Sequence, residues 1–154
     1  MAIASRDRGR SLTVAGREEM KRVGEALEEA GFEFDVVATS PVRRAKESAA
    51  IVSKALKRKG AAEEWGELAP EGDREALYRR LANLRAGYVL CVGHEPYLTT
   101  TIGEVISKGA WTQAGVRIAL KKSGIAKLSV TAFTPRISGE LRWLLTPKQI
   151  RKLA

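Results

Sequence analysis

The chain has 154 residues, 44% of them hydrophobic and 29% charged, which fits one globular domain and excludes a disordered or fibrous composition. One cysteine, Cys91, and one histidine, His94, exclude an internal disulfide and a Cys/His zinc cage. Twenty-seven Lys and Arg against 18 Asp and Glu give a net charge of +9, which favours anionic partners: phosphorylated molecules, nucleic acid or acidic membrane surfaces.

No apolar run approaches the roughly 20 residues of a membrane helix. The opening MAIASRDRGR carries no apolar signal-peptide core. The expectation is a soluble, cytoplasmic single domain spanning residues 1–154. The basic residues are spread from Arg6, Arg8 and Arg10 through Lys57, Arg58 and Lys59 to Arg151 and Lys152, as on a solvated face. No recognisable nucleic-acid module accompanies them.

Helix and strand signals alternate along the chain. Thr13 suits the N-cap of a helix from Val14 to Ala30, with Met20, Val23 and Leu27 on one face and Gly31 stopping it. FDVVAT, Phe34 to Thr39, is a short apolar run of the buried parallel-strand kind. Ser40 then reads as an N-cap and Pro41 as the first residue of a helix reaching Lys57, which buries Ala45, Ala49, Val52 and Leu56. AAEEWGELAPEG allows a short edge strand at most. Asp73 caps a third helix marked by Leu77, Leu81 and Leu84 and ending near Gly87.

YVLCV, Tyr88 to Val92, carries the strongest buried-strand signal in the chain. Gly93, His94, Glu95 and Pro96 turn it directly into a fourth helix with Leu98, Ile102, Val105 and Ile106. The rest predicts strands at Val116 to Leu120, Ile125 to Thr131 and Glu140 to Leu145, with turns at Ser123-Gly124 and Ser138-Gly139. Such alternation predicts a three-layer α/β domain with a mostly parallel sheet.

The two strongest strands end alike, each running into a turn and a helix. Ligands collect at the carboxyl ends of strands in open α/β sheets, and helix N-termini there offer free N–H groups and partial positive charge. Arg44 stands in the first turn of one helix, with a planar fork suited to phosphate oxygens. His94 stands at the mouth of the other and can donate to an oxyanion. These residues predict a phosphate pocket. Cys91 lies within its strand with nothing adjacent to lower its pKa, so a core role is expected. Trp65, Trp111 and Trp143 are expected to pack rather than to stack on bases.

TSPVRRAKESA, Thr39 to Ala49, resembles the TSPxxRAxQTA segment of the histidine phosphatase superfamily. GHEP, Gly93 to Pro96, resembles that family's second-histidine turn, and LTVAGREEM, Leu12 to Met20, its LTxxGxxxA segment. LAPEGD, LKKSGIAKLSV and LRWLLTP are similar to stretches of its small SixA-like phosphohistidine phosphatases. The resemblance implies a phosphoglycerate mutase-like α/β/α fold. It also implies a hydrolase that needs no metal or other cofactor and works through a phosphohistidine intermediate. Its substrate would be a phosphorylated protein or a small phosphorylated compound, and phosphate or sulfate would fit the pocket. Carried over position by position, Arg44 is the family's second phosphate-binding arginine. His94 is its second catalytic histidine and also binds phosphate.

The nucleophile does not carry over. In the family it lies in an Arg-His-Gly motif ending the first strand, and the chain contains neither, while Ile3 to Asp7 reads like the residues directly after that motif. The expectation is a first central strand missing between the strands matching Phe34–Thr39 and Tyr88–Val92. That would leave unpaired backbone groups costing ~1–3 kcal/mol each and two edges open to wrong pairing. A natural chain beginning ~10 residues earlier would supply strand and motif, and the chain as written is predicted inactive. The rival is a phosphate-binding pseudoenzyme. Nucleic-acid binding is a third, weaker reading, resting on charge alone and predicting affinity that falls steeply with salt. Glu95, the carboxylate nearest the pocket, is assigned a capping role.

Overall fold

A computed structural model of the protein describes residues 9–111 and 117–153. Strands β1 (Val36–Thr39), β2 (Glu63–Glu64) and β3 (Val89–Val92) form a parallel sheet in the order β2-β1-β3. Strands β4 (Ile125–Ala132) and β5 (Ser138–Leu145) form a separate antiparallel pair. The helices are α1 (Val14–Glu29), α2 (Arg43–Ala55), α3 (Arg74–Asn83), α4 (Tyr97–Ile106) and α5 (Pro147–Arg151), with a 3-10 turn at Gly66–Leu68.

Helices α1, α3 and α5 begin where polar side chains satisfy orphan amides. Thr13 accepts from the Gly16 amide, Asp73 from the Glu75 amide, and Thr146 and Gln149 form a reciprocal capping box at α5. Helix α1 lies on α2 and α5. A side chain at Gly24 would meet the Ala55 Cβ at 2.7 Å, so this glycine permits the close approach of α1 to α2. Val23, Ala26 and Leu27 meet Ile150 and the partly buried Phe32 and Leu145 there. A second cluster joins the sheet to α3 and α4 through Ala38, Trp65, Leu68, Leu77, Tyr78, Tyr97 and Val105. The sheet therefore lies between two helical layers, as alternation predicts.

Several expectations are corrected. Helix α2 starts at Arg43 rather than Pro41, with Val42 as an N-cap lacking a side-chain bond. The Ser40 hydroxyl instead accepts from the Val42 amide at 3.2 Å, two residues on, a local turn that competes with helix entry. Helix α3 stops at Asn83, short of Gly87. Of the strand expected from Val116 to Leu120, residues 117–120 have no regular structure, and Val116 lies outside the described residues. Ser138 and Gly139 are paired within β5 instead of turning, opposite Ala132 and Val130 beside a bulge.

The sheet contradicts the expected place of a missing strand. β1 and β3 pair directly in parallel, Val36 opposite Val89 through Thr39 opposite Val92, so no strand fits between them. β3 is also half-buried along its whole length, not the most buried strand. Among the described residues, nothing pairs with its second edge. β4 directs Leu128 and Val130 into the same cluster as Val89 and Cys91, and the Lys127 ammonium lies 5.7 Å from the Tyr88 ring centre. It does so without joining the parallel sheet.

Candidate anion site at the paired strand ends

Direct pairing of β1 with β3 brings their two outgoing turns together. The Ser40 amide donates to the Val92 carbonyl at 2.9 Å, carrying the ladder one residue past the end of β1. The Ser40 side chain is fully buried, and its Oγ lies 2.8 Å from Nε2 of His94. His94 is half-buried at the entry to α4, where its carbonyl accepts from the Leu98 amide at 2.9 Å. Burial, and then the Arg44 guanidinium, hold its pKa below the ordinary histidine value, so the imidazole is neutral at neutral pH.

Arg44 is the second residue of α2 and half-buried. Val42, the N-cap of α2, supplies no capping side chain, so α2 opens without a side-chain cap at the end that carries Arg44, where the helix dipole is positive. At α4 the N-cap is Pro96 rather than Glu95, and the Glu95 carboxylate, one residue earlier, accepts from the Thr99 amide at 3.1 Å and from the Thr99 hydroxyl, a capping contact all the same. An imidazole, a guanidinium and a helix N-terminus thus share one end of the sheet.

Sequence reasoning passes over two contributors. Ser40, read as a cap, is the hydrogen-bond partner of His94. Glu47 on α2 holds the segment leading into α1: its carboxylate accepts from the Leu12 amide at 2.7 Å, the Ser11 hydroxyl at 2.9 Å, Arg17 at 2.9 Å and Arg43 at 3.0 Å. The Leu12 amide, with the Ser11 and Arg43 bonds, brings the Glu47 pKa down to about 2 against opposing desolvation. The segment before α1 is thereby fastened beside the turn that carries Arg44. The residue types alone signalled neither bond, since both depend on which turns face each other.

Cys91 and the three tryptophans take the packing roles expected of them. Burial pushes the Cys91 thiol up to about 12, which makes it a poor thiolate and fits a core residue. Trp65 is buried under the Arg80 guanidinium, and Trp143 meets Phe32 edge-on at 5.7 Å. Trp111 covers Gly103, where an added Cβ would collide with its ring. No group of three or more His, Cys, Asp or Glu side chains fit to hold a metal occurs among the described residues. Nor is any helix among them long and apolar enough to cross a membrane.

These strand ends and their helices are those of a phosphoglycerate mutase-like fold. The profile of the histidine phosphatase superfamily, branch 1, matches residues 3–71. An uncharacterized protein of Picosynechococcus sp. is 32% identical over 154 aligned residues, covering 92% of this chain and 86% of that protein. The structure of the protein histidine phosphatase SixA complexed with tungstate superposes with a TM-score of 0.76 at 25% identity, covering 92% of this chain and 87% of that one. A structure from Agrobacterium tumefaciens assigned to SixA shares the fold at a TM-score of 0.70 and 20% identity, with 92% and 86% of the two chains covered. The chain belongs to the histidine phosphatase superfamily.

Proposed function

We propose that this chain carries the phosphate-binding half of a phosphohistidine phosphatase-like hydrolase acting on phosphohistidine or a phosphomonoester. The observation that carries this is the parallel pairing of β1 with β3, which brings together the turns leaving both strands, with the Arg44 charge felt at His94. The tungstate bound by the structurally similar SixA supports a tetrahedral oxyanion as ligand, and the net charge of +9 supports anionic substrates.

The reaction comprises two in-line displacements. A histidine nitrogen attacks phosphorus, forming an N–P bond as the bond to the leaving imidazole or alkoxide breaks and the leaving group takes a proton. Water then attacks the phosphohistidine, the N–P bond breaks, and inorganic phosphate and the free histidine are released. Arg44 and His94 hold the equatorial oxygens as charge spreads over them. Glu95 stays a cap, since its oxygens are engaged by Thr99.

His94 is the sole histidine of the 154 residues and binds phosphate, so the nucleophile comes from a further segment. The edge of β3 that pairs with none of the described residues, with β4 close by and not bonded to the sheet, supports a place for that segment between β3 and β4. On this proposal a strand ending in Arg-His-Gly, supplied from upstream, would lie along this edge. The test compares phosphoamidate hydrolysis by the chain as given and by one extended upstream. Turnover is expected of the extended chain alone. An upstream reading frame without a strand and Arg-His-Gly would sink this reading and leave the pseudoenzyme, which the single histidine favours. That protein would bind phosphate without turnover.

A further inference from the structure

The groups around His94 settle more than its place. The Ser40 Oγ has two neighbours: the Val42 amide, which donates to it at 3.2 Å, and Nε2 of His94 at 2.8 Å. A hydroxyl has one proton to donate and two lone pairs to offer. The Val42 amide takes one lone pair, and among the described residues the hydroxyl proton has a single acceptor in reach, Nε2. Were Nε2–H the donor, Ser40 would bury an O–H with nothing to receive it, which costs the full desolvation of that group.

We propose that Ser40 is a positioning residue: its hydroxyl donates to Nε2, which fixes His94 as the Nδ1–H tautomer and aims that N–H as the ring's donor to a bound oxyanion. The tautomer of a histidine is set by the bond its other nitrogen makes. The lowered proton affinity of His94 keeps the ring neutral and the choice of tautomer meaningful. Arg44 offers only donors, so an anion is the group that it and an Nδ1–H can share. The proposal rests on reading the paired turns as an anion site, and its test separates the two.

Because His94 is the sole histidine, imidazole nitrogen signals in a long-range proton–nitrogen spectrum of the uniformly labelled chain belong to it without assignment. On the alkaline side of its titration, Nδ1 is expected to show the shift of a protonated nitrogen and Nε2 that of a lone-pair nitrogen. The opposite pattern in the unmutated chain overturns the proposal with no variant needed. Ser40→Ala removes the donor and should move the population toward the Nε2–H form, and an unchanged pattern there overturns it as well. Tungstate added to the unmutated chain should shift the Nδ1 signal. A silent tungstate titration would remove the anion pocket, while the tautomer still decides the role of Ser40.

Discussion

Ser40 and His94 lie 54 residues apart in sequence and 2.8 Å apart in space, Oγ to Nε2. What joins them is backbone register. With Thr39 opposite Val92 and the Ser40 amide on the Val92 carbonyl, the residues leaving β1 and β3 face each other. A shift of that register by one residue would turn one strand's side chains to the other face relative to its partner and part the pair.

Arg44 is the first residue to test. Arg44→Ala in the upstream-extended protein should reduce phosphoamidate turnover by ~100-fold or more, the scale of losing one oxyanion donor. In the chain as given, the same substitution should weaken tungstate binding by about tenfold or more, as expected for a charge-assisted hydrogen bond. Titration calorimetry measures the second effect. Losses below about threefold in both assays would remove Arg44 from the site.

The outline of the fold was legible because it rests on local signals. Thr13, Asp73, the FDVVAT and YVLCV runs and the helix stripes each report their own element. Strand order was not legible. Which neighbour β1 takes depends on pairing between distant segments, so local signals do not reveal that β1 pairs directly with β3. The candidate site residues Arg44 and His94 stood out through motifs, whereas Ser40 and Glu47 did not, because their bonds span 54 and 35 residues. The Ser138-Gly139 pair misled for another reason: it has turn composition but serves a bulge.

Glu47 predicts an acid limb of stability. Its pKa falls from 4.5 to about 2 in the folded chain, so between those values the unfolded chain binds more protons than the native one. The stabilisation is present above pH 4.5 and is lost as pH falls toward about 2. Thermal midpoints measured across that range should decline less steeply for Glu47→Gln than for the unmutated chain. Parallel curves for the two proteins would show that the contacts to Leu12 and Ser11 do not set acid stability.

Glu104 predicts a loss of stability without a loss of binding. Its carboxylate accepts from Nε and Nη2 of Arg74 at 3.0 and 2.8 Å and from the Tyr78 hydroxyl. The hydrogen bond to Glu104 raises the Arg74 pKa, and burial followed by that carboxylate raises the Tyr78 pKa. Glu104→Ala leaves a buried hydroxyl and a partly buried guanidinium without their acceptor, costing about 1–3 kcal/mol. Urea unfolding should register this, with tungstate affinity of the folded fraction unchanged.

At Gly139 the close approach is to backbone. An added Cβ would lie 2.3 Å from the Ser129 carbonyl oxygen and 2.9 Å from the Val130 Cα, and neither can rotate away. Gly139→Ala should therefore destabilise the chain by about 1–3 kcal/mol through overpacking. Urea unfolding reads the cost, and a neutral result would mean that the bulge between Val130 and Ala132 can move.

The place proposed for the upstream strand can be read from single amides. The Tyr88 and Val92 carbonyls accept bonds from the β1 side, from Asp35, Val36 and Ser40. Alternation along a strand then turns the N–H groups of Val89 and Cys91 to the opposite edge and those of Leu90 and Val92 toward β1. Hydrogen exchange of the chain as given should be fast at Val89 and Cys91 and slower at Leu90 and Val92. In the extended chain Val89 and Cys91 should become protected, since a strand laid along β3 would take up both groups. If exchange at these two amides is equally fast in both proteins while the extended one hydrolyses phosphoamidate, the nucleophile reaches the pocket by another route and β3 remains an edge.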